Sequence, residues 1–421
     1  KGQFIALSGN TGASKGPHIH LEMHKTKSNN LCDPLNFLKS FIKDKTAPAV
    51  YSFKSYPQPG EGVFQHSSDS RIFTFDKGRF QAWGKVGFGI RANDHMDSVY
   101  NNYGVRYIRL YCDGKLVFAS DVNNIPVSCN RMVNSWGDYD HFLHTKIWFM
   151  KSFIEPGNTL PILRAGANRG IINFNQQRDY HLRYVVSDAF GNQTVKEFTV
   201  HGEPQAIPSV AKPEGGLPLY CKKDNRINAD GVRLNIQKGL LAKDGWLLMR
   251  TVPMGNALSM GYSFSKAPYP LFNYAEINIK AKDGIRNPEK LYIAARNSAA
   301  GGGPSAYCGG IYTNGWVKGR FRELSDIYFL TSDETAPLIT KMNLDPRHLF
   351  FKITDSGSGL KAYQASVDGE FILLEFGKNK EVFFCDLTET PVQRTGKERT
   401  LKVSAVDNRD NRREFVTKIK Y

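Results

Sequence analysis

The sequence predicts an all-β protein, and three observations carry that reading. Aromatic residues make up 12% of the chain, and 38 Gly with 20 Pro punctuate it, a composition suited to many short strands joined by tight turns. Apolar and polar residues alternate through Val232–Ile236, Trp246–Arg250, Ala275–Ile279 and Leu291–Ala295, the period of a strand with one buried face. A segment also recurs: Asp44-Lys-Thr-Ala-Pro48-Ala-Val returns as Asp333-Glu-Thr-Ala-Pro337-Leu-Ile, each copy followed by further alternation.

The two copies also close alike. Tyr184-Val-Val-Ser-Asp188-Ala-Phe-Gly-Asn192 leads into Gln-Thr-Val-Lys-Glu-Phe198, and Val403-Ser-Ala-Val-Asp407-Asn-Arg-Asp-Asn411 into Arg-Arg-Glu-Phe415. A strand, a polar Asp/Asn/Gly turn and a second strand read as a hairpin. Units that open on Asp-x-Thr-Ala-Pro and end on such a hairpin resemble the bacterial immunoglobulin-like β-sandwiches appended to secreted enzymes. The resemblance covers residues 44–202 and 333–421, with the extra length of the first copy expected around 125–175, where alternation weakens. Between the copies, the Pro-rich stretch 203–215 reads as a linker, and the rest of 203–332 as a middle β domain. The Gly-rich run Ala299–Gly303 lacks the Lys and Ser/Thr of a phosphate loop and is expected to be a surface turn.

Charge narrows the function classes. Against 40 acidic residues stand 56 Lys and Arg, for a formal net charge of +16. The excess is spread along the chain, no nucleic-acid signature accompanies it, and no nucleic-acid partner is expected. A diffuse positive field favours polyanions, including an anionic envelope polymer. No run approaches the ~18 apolar residues of a membrane span. The six cysteines, at 32, 112, 129, 221, 308 and 385, form no C-x-x-C pair. Cys112 with Cys129, and Cys221 with Cys308, are candidate bridges, and buried free thiols are the plainer expectation.

The chemistry concentrates at the start of the chain. Phe4–Leu7 reads as a strand, Ser8-Gly-Asn-Thr-Gly12 as a tight loop, and Gly16-Pro17 launches a second strand. Along that strand His18, His20, Glu22 and His24 share one face, while Ile19, Leu21 and Met23 are expected to pack into the sheet. Two imidazoles about 7 Å apart at their Cα atoms suit one ring on a metal and its neighbour beside the reacting groups.

Ser-Gly-Asn-Thr-Gly, then Gly16-Pro17-His18-Ile19-His20-Leu21-Glu22, then Asp33-Pro34-Leu35, resembles the zinc endopeptidases of the LytM/lysostaphin type (peptidase family M23), which cut peptidoglycan peptides. The resemblance covers about residues 1–40. It implies that His20 is a zinc ligand and His18 the catalytic base or transition-state stabiliser. Glu22 would act only through a neighbouring ligand, and His24 has no implied role. The full expectation is a truncated peptidase β-sheet fragment at 1–43, followed by three β-sandwich-like domains at 44–202, 203–332 and 333–421. The implied setting is extracytoplasmic: periplasm, cell envelope or secreted.

That family completes its zinc site with an upstream His-x-x-x-Asp, which these residues lack; His66 has its aspartate three residues on, at Asp69. Lys1 falls inside an expected strand, so the sequence is expected to be the closing part of a longer peptidase domain, with an incomplete zinc site. Two alternatives are a non-catalytic envelope protein that activates a separate wall hydrolase, and a glycan- or wall-binding β-sandwich protein. Asp138, Asp140, His141 and His144 form a second metal-compatible cluster, for which a polar hairpin tip is the expected setting.

Overall fold

The computed structural model describes residues 20–255, 257–296, 306–344, 347–376 and 381–421. His18, the first strand and loop of the motif, and the run Ala299–Gly303 therefore lie outside the described residues. The chain is all-β: strands organised into several sheets, with only short helices between them. No helix among the described residues is long and apolar enough to cross a membrane.

The histidine-bearing segment is less regular than its alternation predicts. Among its described residues only Met23–His24 continues the expected strand, paired antiparallel with Leu31–Cys32, and a short helix follows at Leu35–Leu38. Leu21, expected to pack into a sheet, is 51% exposed. A two-residue ladder offers no second layer to bury it.

Residues 44–202 form one hydrogen-bonded sheet of ten strands. Its two longest strands, Ala49–Phe64 and Arg79–Asn93, pair antiparallel, and Arg79–Ala82 also pairs in parallel with Thr199–Gly202. The closing hairpin Asp179–Ser187/Gln193–Gly202 continues through Tyr107–Cys112 to Lys115–Asp121. A sandwich of two separate sheets was expected here. Instead, Arg79–Asn93 belongs to both halves and joins them. Period-two alternation places Phe80, Ala82, Val86, Phe88, Ile90 and Ala92 inward on that strand, and Tyr180, Leu182, Tyr184 and Val186 on the hairpin. Phe53 stacks on Phe198 with ring centroids 4.4 Å apart and meets Phe80 edge-on at 5.1 Å.

Residues 217–332 build two five-stranded sheets, one centred on Pro270–Lys280 and the other on Ile327–Ser332, around their own core. The strand expected at Trp246–Arg250 is split into Gly245–Leu247 and Arg250–Val252, which pair with different partners. The break falls where Leu248 N–H bonds Phe264 O instead of continuing either ladder.

The last unit packs two four-stranded sheets. One runs Leu338–Leu344, His348–Thr354, Val382–Asp386, Glu375–Phe376. The other runs Glu370–Ile372, Leu360–Val367, Glu398–Asp407, Arg412–Lys420. Leu349, Phe351 and Ile353 face Leu401, Val403 and Ala405 across a third core.

Candidate functional site

His20, Glu22 and His24 lie on one face, as the alternation requires. Glu22 takes His20 Nε2 on Oε1 at 2.9 Å and His24 Nε2 on Oε2 at 3.0 Å. His24 Nδ1 is held by Asn29 Oδ1 at 2.9 Å. The hydrogen bond that His24 donates to Glu22 raises the His24 pKa, and the bonds from His24 and then His20 lower that of Glu22. A carboxylate on one imidazole nitrogen is the arrangement that orients a metal-binding histidine, and it leaves Nδ1 of His20 as the donor atom. His20 thus fits a zinc ligand. A catalytic zinc needs three protein ligands, and the described residues of this segment offer one imidazole with its orienting carboxylate.

The segment is anchored to the first large unit. Leu31 and Ile125 exchange backbone hydrogen bonds at 2.8 Å. Arg106, with its side chain only 8% exposed, spans Asp33 at 2.5 Å and Asp121 at 2.6 Å. Lys39 Nζ reaches Ala189 O at 2.6 Å.

The Asp138 cluster is not a hairpin tip. Asp138 caps a helix, Tyr139–Thr145, accepting His141 N–H, and its other oxygen takes Lys54 Nζ at 2.6 Å and Tyr56 OH at 2.9 Å. Asp140 and His144 pair one turn apart on the exposed side, at 3.3 Å. His141 turns inward, edge-on to Phe149, where burial lowers its pKa. An N-cap aspartate followed by residues of helical period explains the local fold, and the four side chains serve separate contacts. None of the six cysteines is in a disulfide.

Two acidic groups stand out that sequence reading found only in part. Asp44, Asp94 and Asp188 bring one carboxylate oxygen each to within 4.8 Å of the others, and Asp333, Asp355 and Asp407 do the same. Asp188 Oδ1 accepts N–H bonds from Phe190, Gly191 and Asn192, and Asp407 Oδ1 accepts them from Arg409 and Asn411. Asp44 Oδ1 takes Thr46 N–H at 3.0 Å, and Asp333 Oδ1 takes Thr335 N–H at 3.1 Å. The repeated motifs contain Asp44 and Asp188, and Asp333 and Asp407, but only as motif-opening and turn residues, not as a site. The third members, Asp94 and Asp355, follow directly on Arg79–Asn93 and His348–Thr354, in phase with their inward rows. An apolar alternation ending in Asp on the core side is the signal that would have found them. Burial raises Asp94 to about 6 and lifts Asp44 and Asp355 as well.

A cleft between the helical insertion of the first unit and the middle unit collects Arg131, Tyr139, Tyr274, Arg320, Arg322 and Glu323. The Arg322 and Arg320 guanidiniums lie over the Tyr274 ring at 4.5 and 5.3 Å. Burial, then the Arg322 charge, lowers the Arg131 pKa.

Residues 217–333 match the family described as Zu5-like domain. No curated protein matches the chain. Among solved structures, one concerning host cell surface retention of a 1.5-MDa bacterial ice-binding adhesin is 10% identical, over 87% of this chain and 98% of that one, at a TM-score of 0.14. A Ca2+-stabilised adhesin of an Antarctic bacterium is 8% identical over 89% and 90%, also at 0.14. The M60 catalytic domain with its CBM51 domains from Clostridium perfringens ZmpB is 11% identical over 90% and 40%, at 0.12. At such TM-scores these likenesses bear on neither fold nor function.

Proposed function

We propose that this chain belongs to an extracytoplasmic zinc endopeptidase of the LytM/lysostaphin type that acts on peptidoglycan peptides, its β units forming an arm behind the peptidase end. The observation that carries the reading is His20, exposed in Gly-Pro-His-x-His and held through Nε2 by Glu22. His20 would hold the zinc, and His18 would move or hold a proton at the oxygen of the attacked carbonyl. Bound zinc would supply Lewis-acid polarisation of the scissile carbonyl. Glu22 orients His20. The Asp33–Arg106–Asp121 bridge ties the described part of the segment to the first β unit.

The His-x-x-x-Asp of that family has no counterpart in these 421 residues, and the test is made on the protein as the cell produces it. Soluble peptides released from purified sacculi with zinc, and lost in both His20→Ala and His18→Ala, are the expected result. Release unaffected by either substitution, or none at all, overturns the proposal.

The cleft around Tyr274 favours a second reading, in which the β units bind an anionic wall polymer. Guanidiniums stacked on a ring recognise planar or anionic groups. Retention of the chain on purified wall glycan, weakened in Arg322→Ala, supports that reading; no retention counts against it.

A further inference from the structure

Both three-aspartate groups stand where a β unit meets what precedes it. Asp44 ends the segment that carries Lys39, and Lys39 Nζ docks on Ala189 O in the Asp188 turn. Asp333 N–H bonds Lys290 O of the middle unit, while Lys290 Nζ docks on Arg409 O and Asn411 Oδ1 in the Asp407 turn. Each turn therefore receives a lysine from the preceding segment, on a carbonyl or an amide oxygen and never on the clustered carboxylates.

The carboxylates lack any other neutralising partner. The chain has 56 basic residues against 40 acidic ones, yet among the described residues no Lys or Arg forms an ion pair with any of the six aspartates. Asp44 is 8% exposed, Asp94 4%, Asp188 0%, Asp333 4% and Asp407 0%. Grouped buried anions are costly unless a counter-charge is present.

A second observation points to a ligand. Asp44 Oδ2 and Asp94 Oδ1 are buried in the first group with no hydrogen-bond partner. A buried carboxylate oxygen is normally satisfied. In the second group Ser358, 2% exposed and donating its N–H to Asp333 Oδ2 at 2.7 Å, likewise has its Oγ buried with no hydrogen-bond partner. Oxygens within 4.8 Å of one another suit a shared ion bound at about 2.3–2.6 Å, the calcium distance.

We propose that Asp44, Asp94 and Asp188 bind one calcium ion and Asp333, Asp355 and Asp407 a second, each ion fixing its β unit against the segment before it. The same three topological positions are used twice: the residue opening the Thr-Ala-Pro motif, the end of the unit's second inward-facing strand, and the turn of the closing hairpin. Magnesium fits less well, because it demands a near-ideal octahedron and keeps several waters.

The test is calorimetric titration of the full chain, stripped with EDTA, with calcium and, separately, with magnesium. Two calcium equivalents are expected, with dissociation constants on the order of 10⁻⁵–10⁻³ M. Asp94→Asn and Asp355→Asn should each remove one equivalent, and the double variant both. The wild-type chain is read in parallel, so the outcome does not depend on the variants folding: saturating calcium should raise its melting temperature and slow trypsin cleavage after Lys39, Lys43 and Lys45. No saturable calcium binding by the wild type below about 10 mM overturns the proposal. Undiminished binding in a folded double variant, or binding of magnesium alone, also overturns it. None of these readouts depends on peptidase activity.

Discussion

The side-chain amide of Asn192 donates to the backbone carbonyl of Asp44 at 3.1 Å, joining residues 148 positions apart. The same amide donates to Asp188 Oδ2 at 2.7 Å. Asn411 repeats both bonds in the last unit, to Asp333 O at 2.9 Å and Asp407 Oδ2 at 2.7 Å. One asparagine thus ties the first residue of each unit to its closing hairpin. Asn192→Ala should cost about 2 kcal/mol, since it removes two hydrogen bonds and strands a partly buried carbonyl. Asn411→Ala should behave alike. Scanning calorimetry should show one transition move in each variant, a different one in each; if neither moves, the amides do not hold the units closed.

The first core depends on its aromatic cluster. Phe53 is fully buried and contacts Phe64, Phe73, Phe80, Phe88 and Phe198. Phe53→Ala should destabilise that unit by about 3–5 kcal/mol. Tyr51, two residues away and 42% exposed, should lose less than about 1 kcal/mol on replacement by alanine. Similar losses at both positions would contradict the burial of Phe53 and the outward turn of Tyr51 at the register shift between Val50 and Ser52.

The Lys54–Asp138 pair makes stability depend on pH. Burial alone would raise the Asp138 pKa, but Lys54 and Tyr56 outweigh it and lower it below the ordinary value. A depressed carboxylate stabilises the fold above its unfolded pKa of about 3.9, and that contribution disappears as pH falls through the folded value. The side chains are 11% and 13% exposed, so Lys54→Met should cost about 3–5 kcal/mol at pH 7 by leaving a buried charge unpaired. The gap to wild type should narrow as pH falls, beginning above about 4, because without Lys54 burial raises the Asp138 pKa of the variant. A gap constant across that range would assign the loss to packing instead.

How much of this was legible follows from period and distance. Strand-period alternation marked Val232–Ile236 and Ala275–Ile279 because each is decided by local burial. The same rule misread Asp138–His144, where an N-cap and the contact of Phe142 with Trp148 at 5.2 Å favour a helix. It also over-extended the histidine strand, because alternation states which face a residue takes but not whether a neighbouring strand continues. Asp94 and Asp355 escaped notice because their partners come from other turns, far along the chain. Nothing in the local pattern joins Asp94 to Asp188; the sheet does. The cysteine spacings allowed two bridges, and the fold places neither.

Six free thiols imply a redox-insensitive protein. Burial pushes Cys308 and Cys112 up to about 12 and Cys385 to about 11, and thiolate is the reactive form. Cys112, Cys308 and Cys385 should therefore react slowly with a thiol reagent at pH 8 in the native chain, and six equivalents should react once it is unfolded. Its melting temperature should not change with reductant. A fall of several degrees in reductant would reveal a disulfide and overturn the assignment.

Arg106 is the residue on which the histidine segment depends. Its guanidinium joins Asp33, in that segment, to Asp121, at the end of Lys115–Asp121. Arg106→Ala leaves two carboxylates facing each other without their shared cation, and Asp33 is only 16% exposed. The loss should fall on docking of the segment more than on the first core, because two of the three side-chain partners of Arg106, Asp33 and Asn36, lie in that segment. Trypsin should then cut after Lys39, Lys43 or Lys45 several-fold faster, while the main melting transition shifts by less than about 4 °C, a cost near 1 kcal/mol. Arg106→Lys should rescue only in part, since a single ammonium cannot present the two directed N–H groups that now meet two carboxylates. Unchanged cleavage in Arg106→Ala would mean that the Leu31–Ile125 ladder alone holds the segment in place.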